Sequence, residues 1–200
     1  MKTAVAELEG VGAISFSYRH EKPMLEGESH ADYDQRTWRE KLHYDGKTKE
    51  AFIPGMMLKF ALDYTAAQLG IKIPGRGTKT WAKIFQSGII CPDRMMLGIK
   101  RDDVESITIQ ANADGRRGSG KRVPRIFPII NNGWKGTVTF YILNDMITED
   151  ILNTHLTRAG QFCGLGRFAP RVGGFHGRFN VKELLWHDEI ADAAVRQAAE

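Results

Sequence analysis

Two hundred residues are enough to bury one core of ordinary size, and a formal charge of +4 leans modestly towards a polyanionic partner. Two cysteines, Cys91 and Cys163, exclude a disulfide framework and share no zinc spacing, which fits a reducing, cytoplasmic setting. The opening MKTAVAELEG carries acidic residues where a secretory segment would be apolar, and no run is long enough to span a bilayer, so no membrane association is expected.

Ile14, Phe16 and Tyr18 alternate, which predicts a strand within residues 3–19, bent near Gly10 and Gly12. Residues 21–50 are polar and poor in aliphatics and read as an insertion, with a short helix over 35–42. In MLKFALDYTAAQLG, Leu58, Ala61, Leu62, Thr65 and Leu69 share one side of a helix that Gly70 ends. Residues 71–103 form a second insertion rich in glycine, proline and basic residues, where Trp81, Ile84 and Phe85 mark a short docking helix.

Residues 104–110 alternate as a strand, 111–122 form a third insertion at a basic hairpin tip, and 123–130 return as an extended segment. Residues 134–143 alternate through Trp134, Val138, Phe140 and Ile142. Thr148 caps a helix whose first turn holds Glu149 and Asp150, beside the exposed amides, and which continues through Leu152, Leu156 and Cys163. Residues 177–184 supply a last strand, and 189–199 a short terminal helix or frayed tail. This order of elements implies an α+β fold: one ferredoxin-like, RNA-recognition-motif-like sheet with two main helices and long insertions over residues 1–200.

The densest chemistry lies in AGQFCGLGRFAPRVGGFHGRFNV, residues 159–181, where six glycines accompany Arg167, Arg171 and Arg178. Gly164, Gly166, Gly173, Gly174 and Gly177 permit positive φ and close backbone approach; the arginines can follow a phosphate chain; Phe168, Phe175 and His176 can stack on bases. Phe162 and Phe179 are expected to face the core. In FIPGMMLKFAL, Pro54 and Gly55 turn into a helix start whose free amides, with Lys59, suit a phosphate; the same residues serve equally well for turning and packing. Arg116, Arg117, Lys121 and Arg122 give the hairpin tip its charge, either as a polyanion contact or as a solvated surface.

FIPGMMLKFAL resembles the IPGSSLKG signature that opens the first helix in the RAMP superfamily, the RNA-recognition-like subunits of CRISPR effector complexes. The preceding YDGKTKEA and the glycine-rich block GLGRFAPRVGGFHGRFNV look like that family's turn and loop, in the right order. The resemblance covers residues 44–62 and 148–184 and is nearest to the guide-binding backbone subunits. It implies single-stranded RNA or DNA as partner, side-by-side assembly with copies of itself or other effector subunits, a ribonucleoprotein role of the antiviral-defence type or that of a viral relative, and a hairpin that reaches over the guide. Met56 and Met57 replace the family's small hydroxyl pair, and Phe60 replaces its glycine, so two phosphate donors are missing.

Some members of the family cut target RNA with a loop aspartate after the first strand, and Asp32 and Asp34 occupy a comparable region. HADYDQR has no feature that fixes either carboxylate, so a surface role is the simpler reading, and binding without catalysis is expected. His20 or His30 could act as a general base only with a second group that the sequence does not identify. The GxG runs follow a helix and lack a lysine–serine pair, and the histidines are dispersed, so no cofactor or metal is expected.

Overall fold

Ala4, Ala6 and Leu8 turn one face of the first strand, β1 (Lys2–Gly10), into the core; small side chains hide the alternation from the sequence. A computed structural model describes residues 1–112 and 120–188. β1 lies at the centre of a four-stranded antiparallel sheet in the order β4 (Ile89–Ile90), β8 (Lys135–Ile142), β1, β9 (Phe179–His187). β1 pairs with β8 from Lys2↔Ile142 to Glu9↔Lys135, and with β9 through a register shift between Glu7 and Leu8. This is the ferredoxin-like arrangement that the element order predicts.

Helix α2 (Gly55–Leu69) and helix α4 (Glu149–Arg158) contact each other and belong to one apolar core with Val138, Phe140 and Ile142 of β8. Gly70, at φ 57°, ends α2 in the left-handed conformation, where glycine carries no Cβ penalty. Thr148 caps α4 by accepting a hydrogen bond from the Ile151 amide. A π-turn, Ala159–Cys163, extends α4, and Gly160 lies so close to β9 that an added Cβ would stand 2.1 Å from the Phe179 carbonyl oxygen.

At Gly10 the chain leaves the first sheet. An added Cβ there would fall 2.2 Å from Nε1 of Trp134, and that same Nε1 donates to the Gly12 carbonyl at 2.9 Å. The chain then enters a second sheet, β2 (Ile14–Ser15), β7 (Arg122–Ile130), β6 (Glu105–Asn112), of which β6 and β7 form a long antiparallel hairpin.

The insertions carry more order than their composition suggests. Residues 21–50 hold helix α1 (His30–Thr37) and a 3-10 turn (Trp38–Lys41), set earlier in the chain than the expected 35–42. Residues 71–103 hold helix α3 (Trp81–Gly88), whose Trp81 and Phe85 are buried, then β4 and β5 (Met95–Lys100), the latter paired with β3 (Glu50–Ile53). The predicted terminal helix over 189–199, Arg116 and Arg117 lie outside the described residues.

Candidate nucleic-acid interface

The glycine-rich loop folds on itself before it meets anything else. Gly164 takes φ 65°, Gly166 73°, Gly173 81° and Gly177 71°. An added Cβ would lie 1.9 Å from the Phe168 carbonyl oxygen at Gly174, and 1.9 Å from that of Leu165 at Gly177. Leu165 N–H donates to the Gly177 carbonyl at 2.9 Å, and His176 N–H to that of Phe168 at 3.0 Å. Most of these glycines therefore serve internal backbone approach. At Gly173 nothing lies within 4 Å of an added Cβ, so there the need is only conformational.

Contacts on two sides seat the loop on the rest of the protein. Arg167 N–H donates to the Ser15 carbonyl at 2.7 Å, and Gly177 N–H to that of Ala13 at 2.7 Å, so the loop extends the second sheet beside β2. On the other side, Gly166 N–H points at Met57 Sδ, 3.1 Å away. The two sequence motifs, 109 positions apart, thus touch through the Met57 thioether.

The loop's side chains divide into inward and outward sets. Arg171 donates to the carbonyls of Gly164 (2.7 Å) and Gly166 (3.0 Å) and lies over the Phe60 ring at 5.4 Å, so it staples the loop. Arg167 is half-buried between the rings of Phe127 (4.3 Å) and Phe168 (4.9 Å); its Nε is buried without a partner, and burial lowers its pKa. Phe168, at φ 58°, meets Phe127 and His176 edge-on.

His176 is buried, which corrects its assignment as a base-stacking ring. Its Nδ1 lies 2.9 Å from Ser15 Oγ; the hydroxyl gives its one proton to the Arg167 carbonyl at 2.9 Å and so accepts from the ring. Burial holds the imidazole pKa below 6.5, in its neutral form.

Pointing outward are Arg178 and Phe175, the latter 74% exposed. Lys121 and Arg122 are exposed where β7 begins, and Arg122 pairs with Asn112 across the hairpin. Phe162 is 58% exposed, against expectation, because the π-turn rotates it off the apolar side of α4; Phe179 is buried as expected.

Lys59 also moves from the expected ligand set to the interior. It is buried, forms an ion pair with Asp63 one turn on, and donates to the carbonyls of Phe85 (3.2 Å) and Gln86 (3.3 Å) near the end of α3. Gly55 packs against backbone, an added Cβ falling 2.1 Å from the Cys91 carbonyl oxygen, so the start of α2 is shaped by packing.

Asp34 is buried, where a surface position was expected. Its carboxylate accepts from Lys41 Nζ at 2.5 Å and from Ile126 N–H at 2.8 Å, with Arg125 3.9 Å away, and so ties the first insertion to the hairpin. Asp32 is exposed and takes the Ser29 hydroxyl proton at the start of α1. Among the described residues, no three His, Cys, Asp or Glu side chains converge as a metal ion would need. No helix among them is long and apolar enough to cross a membrane.

Ser15, Met57, Phe127 and Lys41 hold this region together, and apart from Met57 none stands out in sequence, because each acts through a partner far along the chain.

No family model and no curated protein matches the sequence. Among solved structures, the chain resembles a Type III-B Cmr-beta subunit from a complex bound to cognate target RNA, with a TM-score of 0.54 at 12% identity, over 92% of this chain and 60% of that one. It therefore spans about three-fifths of that subunit's length. Cmr6 from Pyrococcus furiosus aligns over 91% of this chain and 98% of its own at 13% identity, with a TM-score of 0.48. The sheet order and the first of these likenesses agree: the chain has a ferredoxin-like fold that it shares with that Cmr-beta subunit.

Proposed function

We propose that this chain binds single-stranded RNA through its phosphate backbone, as a backbone-type subunit that assembles beside copies of itself or other effector subunits on a guide. The observation that carries this reading is the outward set of Arg178, Phe175, Lys121 and Arg122, displayed by the glycine-rich loop and by the start of β7. Cations placed without a base-reading partner suit phosphate, and an exposed ring stacks on any base. The Cmr-beta structure, which shares the fold, was solved with target RNA bound, and this supports the same ligand class here.

The proposed role is stoichiometric. Asp34 spends its lone pairs on Lys41 and Ile126, and Asp32 sits at a helix start, so neither is arranged to hold a scissile phosphate. Labelled single-stranded RNA titrated across a salt series tests the reading: affinity should fall as salt rises. Joint replacement R178Q, K121Q and R122Q should weaken binding and flatten the salt dependence. Affinity that ignores both salt and this triple variant would overturn the proposed face, and RNA cleavage products with or without divalent metal would overturn the non-catalytic role.

A further inference from the structure

Away from the glycine-rich loop, the chain builds a second concave site. Residues 16–20 run beside the end of the first insertion, where Tyr18 N–H donates to the Lys41 carbonyl at 2.8 Å. Phe52 N–H of β3 donates to the His43 carbonyl at 3.0 Å and brings the third wall into place. Between them lies a cavity of about 370 Å³, lined chiefly by Tyr18, His20, Glu40, His43, Tyr44 and Phe52. That volume lies within the range of small-molecule sites.

The walls are aromatic. The ring of His43 stands 4.9 Å from that of Tyr18 and 5.8 Å from that of Phe52, centroid to centroid. Burial lowers the pKa of both His43 and His20, so both rings are neutral near pH 7 and add no charge to the walls. Tyr18 is 51% exposed, so one face of the site stays open to an incoming ring.

The one carboxylate on the lining is already spoken for. Glu40 accepts from Lys22 Nζ at 2.6 Å, from the Arg101 guanidinium at 2.5 Å and from the Tyr44 hydroxyl at 3.0 Å. Cations crowd the outside of the same aromatic wall: Arg101 lies 4.8 Å and Lys49 5.7 Å from the Tyr44 ring centroid, and Arg94 lies 4.9 Å from that of Phe52. Glu40, the Asp45 partner of Arg94 and the Asp102 partner of Arg101 leave one positive charge of Lys22, Lys49, Arg94 and Arg101 unbalanced. Two buried nitrogens here, His20 Nδ1 and Arg101 Nε, have no hydrogen-bond partner.

A guest suited to these walls is flat, carries hydrogen-bonding edges and bears negative charge at one end. We propose that the cavity takes a nucleotide unit, its base against Tyr18 and His43 and its phosphate towards the cationic rim. The inference goes beyond the loop-and-hairpin face, since the two share no residue. The unit can come from a free mononucleotide or from an RNA strand; the chemistry is the same, and experiment separates the sources.

The full chain is titrated calorimetrically with AMP and UMP, and in parallel with a short unstructured RNA oligonucleotide, as wild type, Tyr18→Ala and Tyr18→Phe. Because Tyr18 is half exposed, both variants should melt as the wild type does. Loss of a stacked ring should weaken binding about tenfold in Tyr18→Ala, and the ring retained in Tyr18→Phe should restore it. That pattern with the mononucleotides identifies a free ligand; with the oligonucleotide alone it identifies a strand. If neither ligand binds, or if Tyr18→Ala stays within about twofold of wild type for both, the pocket assignment is overturned. Where the mononucleotides show no dependence on Tyr18, oligonucleotide affinity that survives Tyr18→Ala but falls in the R178Q, K121Q and R122Q variant overturns the pocket and leaves the loop-and-hairpin face standing.

Discussion

The Ser15 hydroxyl lies 2.9 Å from His176 Nδ1 across 161 positions of sequence and, through the same oxygen, donates to the Arg167 carbonyl. A single buried hydroxyl thus fastens both limbs of the glycine-rich loop to β2. Ser15→Ala leaves an imidazole N–H and a carbonyl without partners in a buried place. It should cost about 1–3 kcal/mol in urea unfolding. A variant as stable as wild type would show that water replaces the hydroxyl.

The loop's glycines differ in what they require. Gly174→Ala sets a methyl group against the Phe168 carbonyl, and Gly177→Ala does the same against Leu165 in a positive-φ conformation. Each should destabilise by roughly 3 kcal/mol or more, whereas Gly173→Ala, with open space around it, pays only for its backbone conformation, about 1 kcal/mol. Equal losses at Gly173 and Gly174 in chemical denaturation would contradict the backbone clash.

Stability should fall on mild acidification. Burial lowers the folded-state pKa of His43, His155 and His176 below 6.5, so the fold holds them neutral while the unfolded chain takes up protons. The stability is full above the unfolded value and is lost as pH falls through it towards the folded values. Glu28 and Asp45, each held near pKa 2 by hydrogen bonds, contribute stability that is full above the ordinary carboxylate range and is lost only as pH falls through it towards 2. Urea midpoints at pH 7.5 and 5.5, at fixed ionic strength, check this; a higher midpoint at 5.5 would contradict it.

Lys59 should matter to folding and not to ligand. Lys59→Ala removes the charged donor to Asp63 and to the carbonyls of Phe85 and Gln86, at a cost of about 2 kcal/mol. RNA affinity of the folded variant should match wild type in the same titration. A weakened affinity at full stability would return Lys59 to the binding face.

Phe175 should show the opposite pattern. It is so exposed that Phe175→Ala should leave the melting temperature unchanged, yet it should weaken single-stranded RNA binding by about 1–3 kcal/mol if the ring stacks on a base. Its contact with the His176 ring, 4.9 Å between centroids, holds it at the loop surface.

The legible part of this fold was the part that repeats locally. Leu58, Ala61, Leu62 and Thr65 mark α2, and Val138, Phe140 and Ile142 mark β8, because burial follows the period of each element. Strand β4 has only two residues, and β5 carries Gly98 and Lys100, so neither shows a period before β8 and β3 pair with them. Within the candidate site, glycine density and cation identity were readable, but orientation was not. Arg171 and Arg178 look alike in sequence; one turns inward because the carbonyls of Gly164 and Gly166 converge on it. For Lys59 there was a local hint in Asp63, four residues on, the spacing of an ion pair along a helix. For Asp34 there was none, since its partner amide lies 92 positions away.

β1 has a consequence for how the protein is made. Its two neighbours in the sheet, β8 and β9, are both synthesised long after it, and β9 closes its second edge only once Phe179–His187 has left the ribosome. Until then a nascent chain carries an open strand edge along an inner strand of its sheet, a template for pairing with another chain. A translation product that stops short of Phe179 keeps that edge, so premature termination should yield a self-associating fragment rather than a smaller binder.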